Sequence, residues 1–169
     1  PMRIMLFEDN QCDNLRPIGL FRPLYDLQIG SLTLREIVNI IGVPVSCIRR
    51  GHFILPGMEP DPAPPSDKPV FYLNASVEPD IGYRDIIHSV IKAGDPFLTT
   101  SGNRVAAALV PPGARLGSDL SSSNIGPRLL ELGLPLAEEM VRTIDWPHEA
   151  VASHLRVFPR NLAHVISSG

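Results

Sequence analysis

The chain has 169 residues, of which 44% are hydrophobic, enough for one substantial core and short for two independent domains. A net charge of −3 excludes the broad basic field of a protein whose main partner is nucleic acid or an anionic membrane, so any bound phosphate must be held locally. No apolar run approaches the roughly 18 residues that span a bilayer, and no signal peptide opens the sequence, which sets a cytoplasmic location as the expectation.

Cys12 and Cys47 are too few for a disulfide framework or a zinc site and read as reduced structural thiols. Of the 15 basic residues all but Lys68 and Lys92 are arginine. Chemistry that needs lysine therefore has two candidates.

Along the chain, Arg3 to Phe7 is a short apolar run closed by Glu8-Asp9-Asn10, the pattern of a buried strand ending in a turn. The following stretch from Asp9 to Gly30 carries Arg16, Pro17, Arg22, Pro23 and Asp26 and reads as a loop. Ser31 to Gly42 switches to helical periodicity, with Thr33 and Glu36 spaced as a capping box, Leu34, Ile37, Val38 and Ile41 on one face, and Gly42 as terminator. Val43 to Ile48 is a second strand. This order predicts a right-handed βαβ unit in a mainly parallel sheet.

Six prolines crowd the interval from Pro56 to Pro69, which reads as an extended surface loop inserted in a single domain spanning residues 1–169. Val70 to Ala75 is the strongest strand signal, and Ile81 to Ile91 places Ile86, Ile87, Val90 and Ile91 at helical spacing. Pro96 to Thr100 and Val105 to Val110 flank Ser101-Gly102-Asn103-Arg104, a turn suited to a β-hairpin. Residues 111 to 127 are loop-like, and short helices are expected over Leu129 to Leu132, Leu136 to Ile144 and Glu149 to Leu155.

The P-loop, dinucleotide-binding, nucleophile-elbow and zincin motifs are absent from the sequence, and the five histidines show no metal-ligand spacing. The most chemically suggestive part is the loop after the first strand. Arg16, Arg22 and Arg35 near a helix N-terminus either cradle a phosphate or pair with Asp9, Asp13, Asp26 and Glu36, and spacing leaves both arrangements open.

On these residues a resemblance becomes visible. Phe7, Glu8 and Asp9, then Leu15 and Pro17, Arg22 and Pro23, and finally Gly30, Leu32, Thr33, Arg35 and Glu36 resemble the opening of the N-terminal domain of the GlmU-related bacterial sugar-nucleotidyltransferase-like family. A second block, FYLNASVEPD and later LTTSGNRVAAALV, is similar to the family's asparagine-bearing strand and glycine-turn hairpin. The resemblance implies an α/β fold, a Rossmann-like three-layer α/β/α sandwich of the nucleotide-diphospho-sugar transferase type with a mainly parallel sheet.

It also implies a function: a nucleoside triphosphate or nucleotide-sugar as ligand, Mg²⁺ as cofactor, and transfer of a nucleotidyl group to a sugar-1-phosphate. Carried over position by position, Arg22 is the expected catalytic cation. Arg16, Arg35, Asn74, Glu8 and Asp9 are expected substrate-binding residues. Glu8, Asp9, Glu78 and Asp80 are the carboxylates left to hold a metal, which their spacing does not show, and Asp80 is taken as the expected ligand. Three departures stand out: the family's glycine-rich segment is missing, Arg22 stands where active enzymes carry lysine, and Asn74-Ala75-Ser76 replaces a strand-terminal aspartate. These departures leave open a non-catalytic, regulatory or assembly domain of an acyltransferase. Relatives continue into a left-handed β-helix, so this chain is expected to be the N-terminal part of a longer protein. Homo-oligomerisation is left open.

Overall fold

The computed structural model describes residues 2–51, 67–114 and 116–169. Most of the proline-rich interval expected as a loop lies outside the described residues. Five strands, β1 (Arg3–Phe7), β2 (Val45–Ile48), β3 (Val70–Asn74), β4 (Phe97–Ser101) and β5 (Arg104–Val110), form one sheet in the order β2-β1-β3-β5-β4. Among the described residues four α-helices accompany it: α1 (Leu34–Ile40), α2 (Tyr83–Ala93), α3 (Ile125–Glu131) and α4 (Pro147–Ser168). None of the described helices is long and apolar enough to cross a membrane.

β1 runs parallel to both β2 and β3, whereas β5 is antiparallel to β3 and to β4. The sheet is therefore mixed, which corrects the expectation of a mainly parallel one. The cause is local. Gly102, with φ of 60°, and Asn103 close a two-residue turn between β4 and β5, and a link that short can join antiparallel neighbours alone.

Buried strands need apolar residues on both faces, and β1, β3 and β5 supply them. Ile4, Leu6, Phe71 and Leu73 pack with Leu34 and Val38 of α1, Ile87 of α2 and Val157 of α4. The alternate residues Met5, Phe7, Val70 and Tyr72 pack with Ile125 and Leu129 of α3. The α1 capping box forms as its spacing predicts: Thr33 Oγ1 accepts from Glu36 N at 3.1 Å and Glu36 Oε2 accepts from Thr33 N at 2.7 Å.

Two helical expectations change. Leu136 to Ile144 is not a helix but an extended strap: Leu98 N donates to Pro135 O and Ala137 N to Leu98 O, both at 2.8 Å, while Ile144 N donates to Ser76 O. The free edge of β4 offers unpaired backbone groups, and satisfying them outweighs the helical spacing of Leu136, Met140 and Ile144. The expected helix at 149–155 instead extends over 22 residues and passes through Pro159. Packing of Ala150, Ser153, Val157 and Asn161 into the body of the protein sustains it.

Candidate functional site

β1 is the strand from which the chain departs to opposite sides, first to β2 and then to β3, and a crevice beyond the C-terminal ends of such strands is where open α/β sheets hold ligands. Glu8 and Asp9 leave β1 at that edge, Asn74 ends β3, and Arg104 opens β5 beside it. All four lie in two buried ion-pair networks.

In the first, Arg104 grips Asp9 bidentately, Nε to Oδ2 at 2.7 Å and Nη2 to Oδ1 at 2.5 Å, and its Nη1 donates to Asp145 Oδ1 at 2.8 Å. Asn74 Nδ2 donates to Asp9 Oδ2 at 2.7 Å and to Val105 O at 2.9 Å, while its Oδ1 accepts from the backbone N and Oγ of Ser76. Asp9 also caps the 3-10 turn Asn10–Leu15 by accepting from Gln11 N and Cys12 N. Burial by itself raises the Asp9 pKa, but the hydrogen bonds and charge of Arg104, helped by Asn74 and Cys12, hold it below the usual carboxylate range. Burial pushes the neighbouring Cys12 thiol up to about 12.

The second network centres on Glu8, which is fully buried and accepts from Arg50 N at 3.0 Å, Arg50 Nε at 3.2 Å and Leu24 N at 3.0 Å. Arg50 also donates Nη2 to Gly19 O at 2.7 Å and Nη1 to Asp13 Oδ1 at 3.0 Å. This pair therefore ties down both ends of the segment between Gly19 and Leu24, and that segment presents Phe21, 86% exposed, and the exposed Arg22. The anchoring sets Arg22 at the C-terminal edge of the sheet, two residues from an amide bonded to Glu8.

Two of the three arginines expected to form one cradle are paired with carboxylates. Arg16 pairs with Asp13 at 3.3 Å, and Arg35 pairs with Asp26 at 2.6 Å and lies over the Tyr25 ring. Arg22 makes no ion pair among the described residues, so the alternative in which it pins the loop through Asp26 or Asp9 is not what the structure adopts. Asn74 faces inward and positions Asp9, with its own donors and acceptor used within the chain. Glu8 likewise serves the loop anchor.

A cleft of about 270 Å³ opens over the first network, lined by Asp9, Gln11, Asn103 and Arg104 from the sheet edge and by Ser122 and Ser123 from the approach to α3. Asp80 lies elsewhere. It lines a second cleft of about 480 Å³ with Glu78, Tyr83, Glu139, Arg142 and Arg156. There Arg160 Nη1 contacts both Asp80 oxygens, at 3.0 and 2.9 Å, and Gly82 N donates to Oδ1 at 2.8 Å. Glu78 accepts from Arg156, Ser153 Oγ and Tyr83 OH.

Residues 4–166 match the sugar nucleotidyl transferase family. The chain belongs to that family. No curated protein matches it.

The resemblance implies Mg²⁺ as cofactor. Asp9 is held by Arg104 and two backbone amides and Asp80 by Arg160 and one backbone amide, and no group of three or more His, Cys, Asp or Glu among the described residues is placed to hold a metal. Sequence reasoning missed Arg50, Arg104 and Asp145 as site residues. The available signal was Arg104 itself, a lone charge opening the continuous apolar run Val105 to Val110, since charge at such a position is buried only with a partner.

Proposed function

We propose that this domain binds a nucleoside triphosphate or a nucleotide-sugar at the C-terminal edge of its sheet, as a sugar nucleotidyltransferase of the GlmU-related branch. In the two core clusters we read the two faces of a Rossmann-like three-layer sandwich of the nucleotide-diphospho-sugar transferase type. The observation that carries the reading is Arg22, an exposed cation without a carboxylate partner among the described residues, on a loop whose two ends are tied to the strand-end pair Glu8–Arg50. A guanidinium held there suits the charge that develops when a sugar-phosphate oxygen attacks an α-phosphorus and pyrophosphate leaves. Arg16 sits in an exposed ion pair of the kind worth about 0 to 1 kcal/mol, weak enough for a phosphate to compete for it, whereas Arg35 is held bidentately by Asp26 and would have to share its guanidinium. Asp9, Glu8 and Asn74 act in this reading by fixing the edge on which the ligand rests.

Calorimetric titration with UTP, dTTP and nucleotide-sugars, each with and without Mg²⁺, tests the proposal. Absence of heat with every ligand at millimolar concentration defeats it. Arg22→Ala should weaken binding about ten- to hundredfold, the loss of one hydrogen bond to a charged group, and leave the melting temperature unchanged.

A second reading, a non-catalytic nucleotide-sugar-binding or assembly domain, is favoured by the arginine pairing of Asp9 and Asp80 and by Asn74 at the strand end. Pyrophosphate release from nucleoside triphosphate and sugar-1-phosphate with Mg²⁺ separates the two. Turnover above background removes the second reading.

A further inference from the structure

α4 carries two apolar stripes. The first, Ala150 and Val157 with the polar Ser153 and Asn161, is buried against the rest of the chain. The second is Val151, Leu155, Phe158, Leu162 and Val165, at successive spacings of four, three, four and three, the a/d pattern of a helix-pairing seam. It faces solvent. Val151 is 64% exposed, Leu155 71% and Phe158 36%, and Ile166 at the stripe's margin is 73% exposed. Core packing accounts for the first stripe and leaves the second unexplained.

We propose that this stripe is the interface between two copies of this chain, paired antiparallel about a two-fold axis through Phe158. The apolar residues are near-symmetric about Phe158: Leu155 stands three positions before it and Leu162 four after, and Val151 and Val165 lie seven away on either side. A two-fold interface must be self-complementary, residue i meeting j while j meets i. Antiparallel pairing meets that condition by setting Phe158 on Phe158, Leu155 on Leu162 and Val151 on Val165.

Charge points the same way. The residues beside the seam are Ala152, His154, Pro159 and Ile166, without an Asp, Glu, Lys or Arg, so a second copy approaches without like-charge repulsion. The helix's arginines Arg156 and Arg160 point away, to Glu78 and Asp80.

Area sets the strength. These exposures make an apolar patch of a few hundred Å² on one copy, within the range of functional patches on monomers. Pairing two copies removes at most twice that area, at or below the roughly 1,000 Å² of a specific interface. The expected association is weak and concentration-dependent.

Sedimentation equilibrium of the 169-residue chain from low to high micromolar concentration tests this. The expected result is a mass rising from 18.5 kDa toward twice that value, with Leu155→Glu, a change at an exposed position, keeping the native melting temperature and remaining monomeric throughout. A wild-type chain that stays monomeric to several hundred micromolar overturns the proposal, as does a dimer that persists unchanged in Leu155→Glu. Mixed Val151→Cys and Val165→Cys chains, mildly oxidised, should cross-link as the heterodimer. Preferential Val151→Cys homodimers overturn the antiparallel arrangement.

Discussion

Replacing Asp9 by asparagine removes one charge and almost no volume, which makes it a clean probe of the buried pair at the end of β1. In the native protein the Arg104 guanidinium is 1% exposed and shared between Asp9, which takes its Nε and Nη2, and Asp145, which takes Nη1. The asparagine must point its amide toward Arg104 or toward Asn74 Nδ2, setting donor against donor. Leaving one member of a buried ion pair uncompensated costs about 3 to 5 kcal/mol, and because Asp145 stays in place the low end applies, about 3 kcal/mol. In a chain of this size that lowers the melting temperature by about 6 to 12 °C. Urea unfolding followed by circular dichroism measures it. A loss below about 1 kcal/mol refutes the reasoning. The second check is Asp9→Asn combined with Arg104→Met, which should be no less stable than Asp9→Asn alone because the orphaned charge leaves with the arginine. Strictly additive losses refute the pair as the cause. The pH dependence follows with a definite sign. The folded Asp9 pKa lies below its ordinary value of 3.8, so the unfolded chain binds more protons in that interval. The stabilisation is therefore complete above the unfolded pKa and lost as pH falls through the folded one. Asp9→Asn should flatten this part of the acid limb.

Two further outcomes follow from the packing around Gly30 and Cys12. Gly30 has φ of 63°, its amide donates to His154 Nδ1 at 3.0 Å, and an added methyl would run into Val157 Cγ2 and meet Phe158 N at 3.2 Å. Gly30→Ala should therefore destabilise by about 2 to 4 kcal/mol through strain and overpacking, read as a melting temperature about 5 to 15 °C lower. Cys12 is buried with a thiol pKa near 12, so a thiol reagent at neutral pH should leave it unlabelled in the folded protein and modify it after denaturation. Rapid native labelling at Cys12, located by peptide mapping, contradicts the packing described.

Local interactions made much of this protein legible from its residues. The apolar runs of β1 and β3, the Thr33–Glu36 capping box of α1 and the Gly102-Asn103 hairpin turn each depend on neighbours within a few positions, so their signal sits in the sequence. The antiparallel setting of β5 was implicit in that turn, yet alternation of strands and helices suggested a mainly parallel sheet. The strap at 136–144 was not legible, because its partner is the free edge of β4, about forty residues away. α4 ran on through Pro159 because the packing of Val157 and Asn161 outweighs the hydrogen bond proline forfeits.

The candidate site divides in the same way. Phe7, Glu8, Asp9, Arg22 and Asn74 could be singled out from motif and order along the chain, and so could the family to which the chain belongs. What each does could not, because a buried charge takes its role from whichever opposite charge the fold delivers to it. Arg104 reaches Asp9 across 95 positions and Arg50 reaches Glu8 across 42. Desolvation makes such pairs compulsory once the strands align. The residues therefore settled by themselves that charges would cluster at the end of β1, and the tertiary structure decided that arginines would neutralise Asp9 and Glu8 while Arg22 stayed exposed to solvent.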